Sequence, residues 1–214
     1  ITVDLKGALK KYKKGHFAAI DAEKLPALLK AIEKNDARLF KQTIIALKMM
    51  LLTFVRTSEL INATWDEFDI AKKIWMIPAE RMKMRRPHLV PLSDQVIALL
   101  KEQKDDIDGI NTPYVFPNQT EPRRPMSNAT ILGGIKRLGY KGKMTGHGFR
   151  ALAMSTIKEK LNYRHEVIDL QLAHEKKNKI DAAYDRAKFI DERTKMMQDW
   201  AGYIDQTKEK ANQK

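Results

Sequence analysis

GHGFRALAMSTIKEKLNYRHEVIDLQLAHEKKNKIDAAYDR, residues 146–186, is the stretch from which the rest of the chain is read. It predicts three successive helices, at about 148–161, 164–173 and 179–186, with no strand between them. His147 and Arg150 are three apart, so on a helix they share a face. His174 follows twenty-four residues after Arg150, and Tyr184 ten residues after that. A histidine and an arginine on one face, a second histidine, and a tyrosine on a later helix suit phosphate chemistry with a phenolic nucleophile.

Upstream, Asp21 caps a predicted helix to about residue 35, with Leu25, Leu28, Leu29 and Ile32 on one face. Residues 39–55 form a second helix, apolar nearly all round and therefore buried, with Lys48 in its middle. Arg56 follows directly, and Thr57 or Ser58 caps a short helix over about 59–63. A charged residue beside so buried a segment is unusual unless it faces a cleft. Residues 65–68 read as a connector. Residues 74–78 and 88–92 read as strands of a β-hairpin whose tip, ERMKMRRP, carries Arg81, Lys83, Arg85 and Arg86. Ser93 and Ser127 cap two further helices, ending near 104 and 139. Between them lies a polar, proline-rich loop with Arg123 and Arg124, in which Tyr114 to Phe116 form a short extended piece. A last helix is expected over 189–203, with Met196, Met197 and Trp200 packing in the core or on a neighbouring protomer, and a polar tail that frays. The predicted class is mainly α with one small antiparallel β-sheet (α+β).

Lys and Arg number 40 against 27 Asp and Glu, a net charge of +13. That excess suits a polyanion, nucleic acid before others, although a basic protein without such a partner has the same balance. With no cysteine, a disulfide scaffold, a thiolate metal site and a thiol nucleophile are excluded. The apolar run 43–55 is too short to span a bilayer. Residues 1–18, with four lysines between Lys10 and Lys14, read as a linker or the tail of an upstream domain; the start at Ile1 rather than Met leads us to expect a piece of a longer protein.

Breaking a phosphodiester through a covalent intermediate needs a nucleophile, positive charge for the transition state and a proton donor for the leaving oxygen. Arginine's planar fork serves the second need, and lysine, whose proton is transferable, the third. The chain holds candidates for each in Arg56, Lys83, His147, Arg150, His174 and Tyr184. Singly each has a plainer reading: an arginine after a core helix as a surface ion pair, a tyrosine in IDAAYDR as packing. His165 reads as a helix-surface residue, and HEVID lacks the second histidine of a zinc motif.

The phrases LLTFVRTSELINATWDEFD, WMIPAERMKMRRPHLVPLS, YVFPN, GHGFRALAMSTI and LQLAHEKKNKIDAAYDRAKFIDERTKMMQDWAGYID span about residues 21–205. Through them the chain resembles the catalytic domain of the tyrosine recombinases, the phage-type integrases, within the branch of prophages and genomic islands. The resemblance implies a catalytic domain over 19–205, a linker before it and a polar tail over 206–214. It implies that Arg56 and Arg150 clamp the scissile phosphate, that His174 hydrogen-bonds it, that Lys83 protonates the leaving 5′ oxygen, that His147 assists proton movement and that Tyr184 is the nucleophile. Arg81, Arg85, Arg86, His88, Arg123 and Arg124 are the further DNA contacts expected. Double-stranded attachment-site DNA, a homotetrameric synaptic complex and accessory bending proteins are the implied partners. No cofactor or metal is implied, and the compartment is the bacterial cytoplasm at the nucleoid. A topoisomerase-like strand transferase and a non-catalytic DNA-binding module on the same scaffold are the rival readings.

Overall fold

Helix α2, Lys41–Thr53, is the centre about which the other elements pack, with Ile45, Ala46, Leu47, Met49 and Met50 all buried. Its all-round apolarity leaves no face for water, and α1 (Leu25–Lys34), α3 (Thr57–Ile61), α4 (Asp94–Asp106), α5 (Asn128–Ile135), α6 (Gly146–Lys160) and α8 (Ile190–Asn212) pack against it. α7 (His165–Gln171) lies between α6 and α8. The computed structural model describes residues 17–174 and 189–213. The lysine-rich arm before residue 17 and the helix expected over 179–186, with Tyr184, lie outside the described residues.

Local signals place most boundaries. Asp21 caps a 3-10 turn, Ala22–Lys24, that leads into α1. The Ser93 and Ser127 hydroxyls accept from the N–H groups of Val96 and Thr130 at the starts of α4 and α5. α5 runs on into a wider turn over Lys136–Tyr140, closed by Gly139 at φ +88°. The charge in the middle of α2 is neutralised: Lys48 Nζ is 2.9 Å from Glu33 Oε1, which Lys208 approaches at 3.0 Å. Burial pushes the Glu33 carboxyl up, but the two lysines outweigh it and hold it below the usual range.

Strands β2 (Ile74–Ile77) and β3 (His88–Pro91) form the expected hairpin, paired antiparallel with Trp75 opposite Val90 and Ile77 opposite His88. The segment read as a connector adds a strand, β1 (Phe68–Asp69), on the other side of β2, so the sheet has three strands in the order β1-β2-β3. Phe68 stacks on Trp75, whose indole N–H donates to Glu67 at 2.8 Å.

The end of the chain differs from the sequence reading. α8 does not fray after Tyr203 but continues to Asn212, because Ile204 is buried and Lys208 reaches Glu33 on α1. Met196, Met197 and Trp200 are fully buried within the same chain, and the Trp200 indole donates to Leu51 O on α2 at 3.0 Å. Within the chain this apolar stripe is covered by α1 and α2. Among the described residues no helix is long and apolar enough to cross a membrane.

Candidate functional site

α2 ends on Phe54 in the left-handed region at φ +40°, and the chain leaves it extended through Arg56, which starts α3. Glu59, three residues on and buried, takes the Arg56 backbone N–H at 2.7 Å and its guanidinium at 2.6 Å. One carboxylate therefore fixes both the backbone and the side chain of Arg56. Glu59 went unnoticed in the sequence, although an acid at the third position of a helix is the capping-box spacing.

The expected pair His147 and Arg150 sits on the first turn of α6, capped by Thr145, whose hydroxyl accepts from Gly148 N–H at 3.0 Å. The helix starts two residues earlier than its glycines suggested, and those glycines have a steric purpose. A β-carbon on Gly146 would stand 2.2 Å from the Thr57 hydroxyl of α3, and one on Gly148 2.4 Å from the carbonyl oxygen of Ala18. The first glycine brings α6 against α3 and Arg56. The second lets the incoming chain cross over the helix start, where Phe17 lies against the His147 ring at 4.5 Å between centroids.

Arg150 is 3% exposed. Its Nη1 donates to Phe54 O at 2.7 Å and its Nη2 to Leu172 O at 2.6 Å. Both carbonyls lie at helix C-termini, of α2 and of α7, where unpaired carbonyls and the helix dipole favour a cation. No carboxylate is bonded to it among the described residues, and its Nε is buried without a partner there. Burial, and then the charge of Arg56, pull the Arg150 guanidinium down to about 10, with Glu59 opposing. Two guanidiniums are thus held close against their own repulsion, which is the electrostatic condition for an anion site.

Arg56, His147 and Arg150 line one cleft of about 520 Å³ with Phe17, Thr57 and Ser58. Burial, then Arg150, Arg56 and His174 in that order, push the His147 imidazole below its ordinary 6.5. At neutral pH it is unprotonated and able to accept a proton. That ordering also places His174 within electrostatic reach of His147, although they are 27 residues apart in sequence.

His174 follows directly on a firmly held helix end. Gln171 is fully buried: its carbonyl accepts from His88 Nε2 at 3.1 Å, its amide reaches Thr53 O at 3.3 Å, and Arg193 of α8 donates to its side-chain oxygen at 2.7 Å. Ala173 turns through φ +50°. The α7 terminus that carries His174 is therefore bonded to α2, β3, α6 and α8.

Two expected DNA contacts belong to this framework instead. His88 is 7% exposed, and burial together with Arg193 lowers its imidazole to about 3, so it is a neutral donor inside the core. Arg81 is committed to Glu67 by an ion pair and to Glu59 O at 3.0 Å, behind Arg56. Both face inward because the acceptors they satisfy are buried. Lys83 and Arg85 are exposed on the hairpin and Arg86 half-buried; none of them lines the cleft. Arg123 and Arg124 are exposed on the loop before α5, with Arg124 paired to Glu121 at 3.0 Å.

Residues 18–190 match the phage integrase family. The chain belongs to that family. It is 37% identical to the integrase of Enterobacteria phage P4 over 97% of its length, and 38% identical to the prophage integrase IntZ of Escherichia coli K12 over 94%. It spans about half the length of these relatives, 50% and 48% respectively. The fold is that of integrase-family structures at low identity. The integrase of mycobacterium phage Brujita aligns over 88% of this chain and 59% of its own, with TM-score 0.62 and 13% identity. A lambda integrase tetramer bound to a Holliday junction aligns over 84% of this chain and 53% of its own, with TM-score 0.61 and 15% identity. In this integrase-family chain the matched region contains the cleft, the hairpin and the segment with Tyr184.

Proposed function

We propose that this chain is the catalytic part of a site-specific DNA recombinase that cleaves and rejoins strands through a 3′-phosphotyrosine on Tyr184. The observation that carries the reading is the buried Arg150, with no carboxylate bonded to it among the described residues, beside Arg56 and a neutral His147 in one open cleft. In this reading the phenolic oxygen of Tyr184 attacks phosphorus and the P–O5′ bond breaks. Arg56 and Arg150 hold the non-bridging oxygens, where negative charge accumulates, at fixed positions that need no reorganisation during reaction. His147 accepts the phenolic proton, and Lys83 on the hairpin delivers one to the departing 5′ oxygen. Attack by a 5′-hydroxyl of a partner duplex reverses the chemistry and joins a new strand. The substrate is double-stranded attachment-site DNA, bound by four protomers with help from bending proteins, in the bacterial cytoplasm at the nucleoid. Arg85, Arg86, Arg123 and Arg124 are placed to add backbone contacts, which strengthen binding without reading sequence.

The test is a nicked duplex bearing the attachment core, incubated with the full-length protein and resolved on a denaturing gel. Wild type should trap a covalent protein–DNA adduct and Tyr184→Phe should not. An adduct that persists in Tyr184→Phe, or none from wild type on any core to which it binds tightly, refutes the reading.

A further inference from the structure

Asp169 holds an imidazole on each of its carboxylate oxygens. Oδ1 is 2.9 Å from His174 Nδ1, and Oδ2 is 3.1 Å from His165 Nε2. The backbone repeats the tie, since His174 N–H donates to Asp169 O at 3.0 Å. As a stability device this cluster is worth little, because exposed pairs of this kind contribute under about 1 kcal/mol. Its significance is geometric. His174 has two ring nitrogens, and only one can meet a phosphate while the other is occupied.

We propose that Asp169 is the positioning residue of His174, fixing the ring through Nδ1 so that Nε2–H is the group offered to the scissile phosphate. The proposal rests on the recombinase reading above. With a carboxylate on Nδ1 and a phosphate oxygen on Nε2, the ring carries a proton on each nitrogen and donates from both. His147 on α6 lies within electrostatic reach of His174, and Arg150 of the same helix donates to Leu172 O, two residues before it. His165 is the other titratable group at Asp169 on α7 itself. Among the described residues Asp169 is the one carboxylate in contact with it. His165 holds the second oxygen, so the carboxylate is bound at both of its atoms and the His174 ring is aimed by a fixed partner.

The experiment uses the full-length protein and the nicked core duplex, with Asp169→Ala, Asp169→Asn, His174→Ala and the double variant Asp169→Ala/His174→Ala. Single-turnover adduct formation should fall roughly ten- to hundredfold in Asp169→Ala, with DNA affinity unchanged. Asp169→Asn keeps an acceptor for Nδ1–H without the charge, so its loss should be smaller than that of Asp169→Ala. The double variant should be no slower than His174→Ala alone, because the two residues act through one hydrogen bond. Adduct formation in Asp169→Ala within twofold of wild type, or additive losses in the double variant, overturns the proposal. Long-range ¹H–¹⁵N spectra of the His174 ring decide it independently of catalysis. The Nδ1 signal should carry the signature of a hydrogen bond to a carboxylate in the wild type and lose it in Asp169→Ala, and identical spectra would sink the idea. If the wild type forms no adduct, the recombinase reading fails, while the spectra still report on Asp169.

Discussion

Replacing His88 by Gln should remove a defined part of the chain's sensitivity to acid. His88 is buried between β3 and the end of α7, its Nε2–H donates to Gln171 O, and its folded-state value is about 3 against 6.5 in the open chain. Between those limits the unfolded chain binds a proton that the native protein refuses. Unfolding free energy is therefore highest above 6.5, declines as pH falls, and levels off near 3. Each pH unit inside the window costs about 1.4 kcal/mol, so at pH 5.0 the ring accounts for about 2 kcal/mol of lost stability. Gln presents an amide N–H where Nε2 stood and does not titrate. At pH 7.5, His88→Gln should lie within about 1 kcal/mol of wild type, the range of one neutral hydrogen bond. His147 is also held below its ordinary value and adds loss of the same sign, but equally in both proteins. Urea titrations at pH 7.5 and 5.0 give the four free energies needed. The wild type should lose about 2 kcal/mol more than the variant on acidification. Equal losses would mean that His88 takes up its proton as freely folded as unfolded, and the buried neutral donor would be wrong.

Three further outcomes follow from contacts described above. Gly148→Ala sets a β-carbon 2.4 Å from Ala18 O and should cost about 1–3 kcal/mol in urea unfolding, whereas Gly133→Ala, with open space around it in α5, should be neutral or stabilising. Arg150→Lys offers one ammonium where the guanidinium bridges Phe54 O and Leu172 O, so single-turnover adduct formation should fall by roughly a hundredfold or more while DNA affinity by gel shift changes only a few-fold. Trp200→Ala should destabilise by about 3–5 kcal/mol, and Lys208→Ala, which removes a half-exposed ion pair, by under about 1 kcal/mol; a reversed order in thermal unfolding would contradict the packing of α8.

The elements legible in the sequence are those with local causes. Ser93 and Ser127 each cap the helix that their position announced, and Asp21 the 3-10 turn that leads into α1, because a cap is a bond between residues three apart. α2 was readable as buried because apolar residues surround it, and Arg56 as its exit because the run stops there. The hairpin followed from two short apolar strands around a polar tip. β1 escaped notice, since a two-residue strand has no period of its own. The length of α8 was misjudged because its last turns are polar, and what holds them, Glu33, lies 175 residues earlier than Lys208.

The candidate site divides in the same way. Sequence alone singled out the residues proposed to carry the chemistry, Arg56, His147, Arg150, His174 and Tyr184, by type and order, and family membership follows from the same phrases. Only the tertiary structure decided which basic residues are free to act. Arg81 reads as a phosphate contact beside Lys83, Arg85 and Arg86, and His88 as either structural or a phosphate contact; both are drawn inward by Glu67, Glu59 and Gln171. Nor does the sequence say that Gln171 joins three elements to the helix end before His174, or that Asp169 grips that histidine. The physical reason is range. Capping and periodicity act over a few residues and leave a mark in the chain, whereas desolvation and hydrogen bonding depend on what folding brings alongside, and partners such as His88 and Gln171, 83 positions apart, or Gln171 and Thr53, 118 apart, leave no local trace of their meeting.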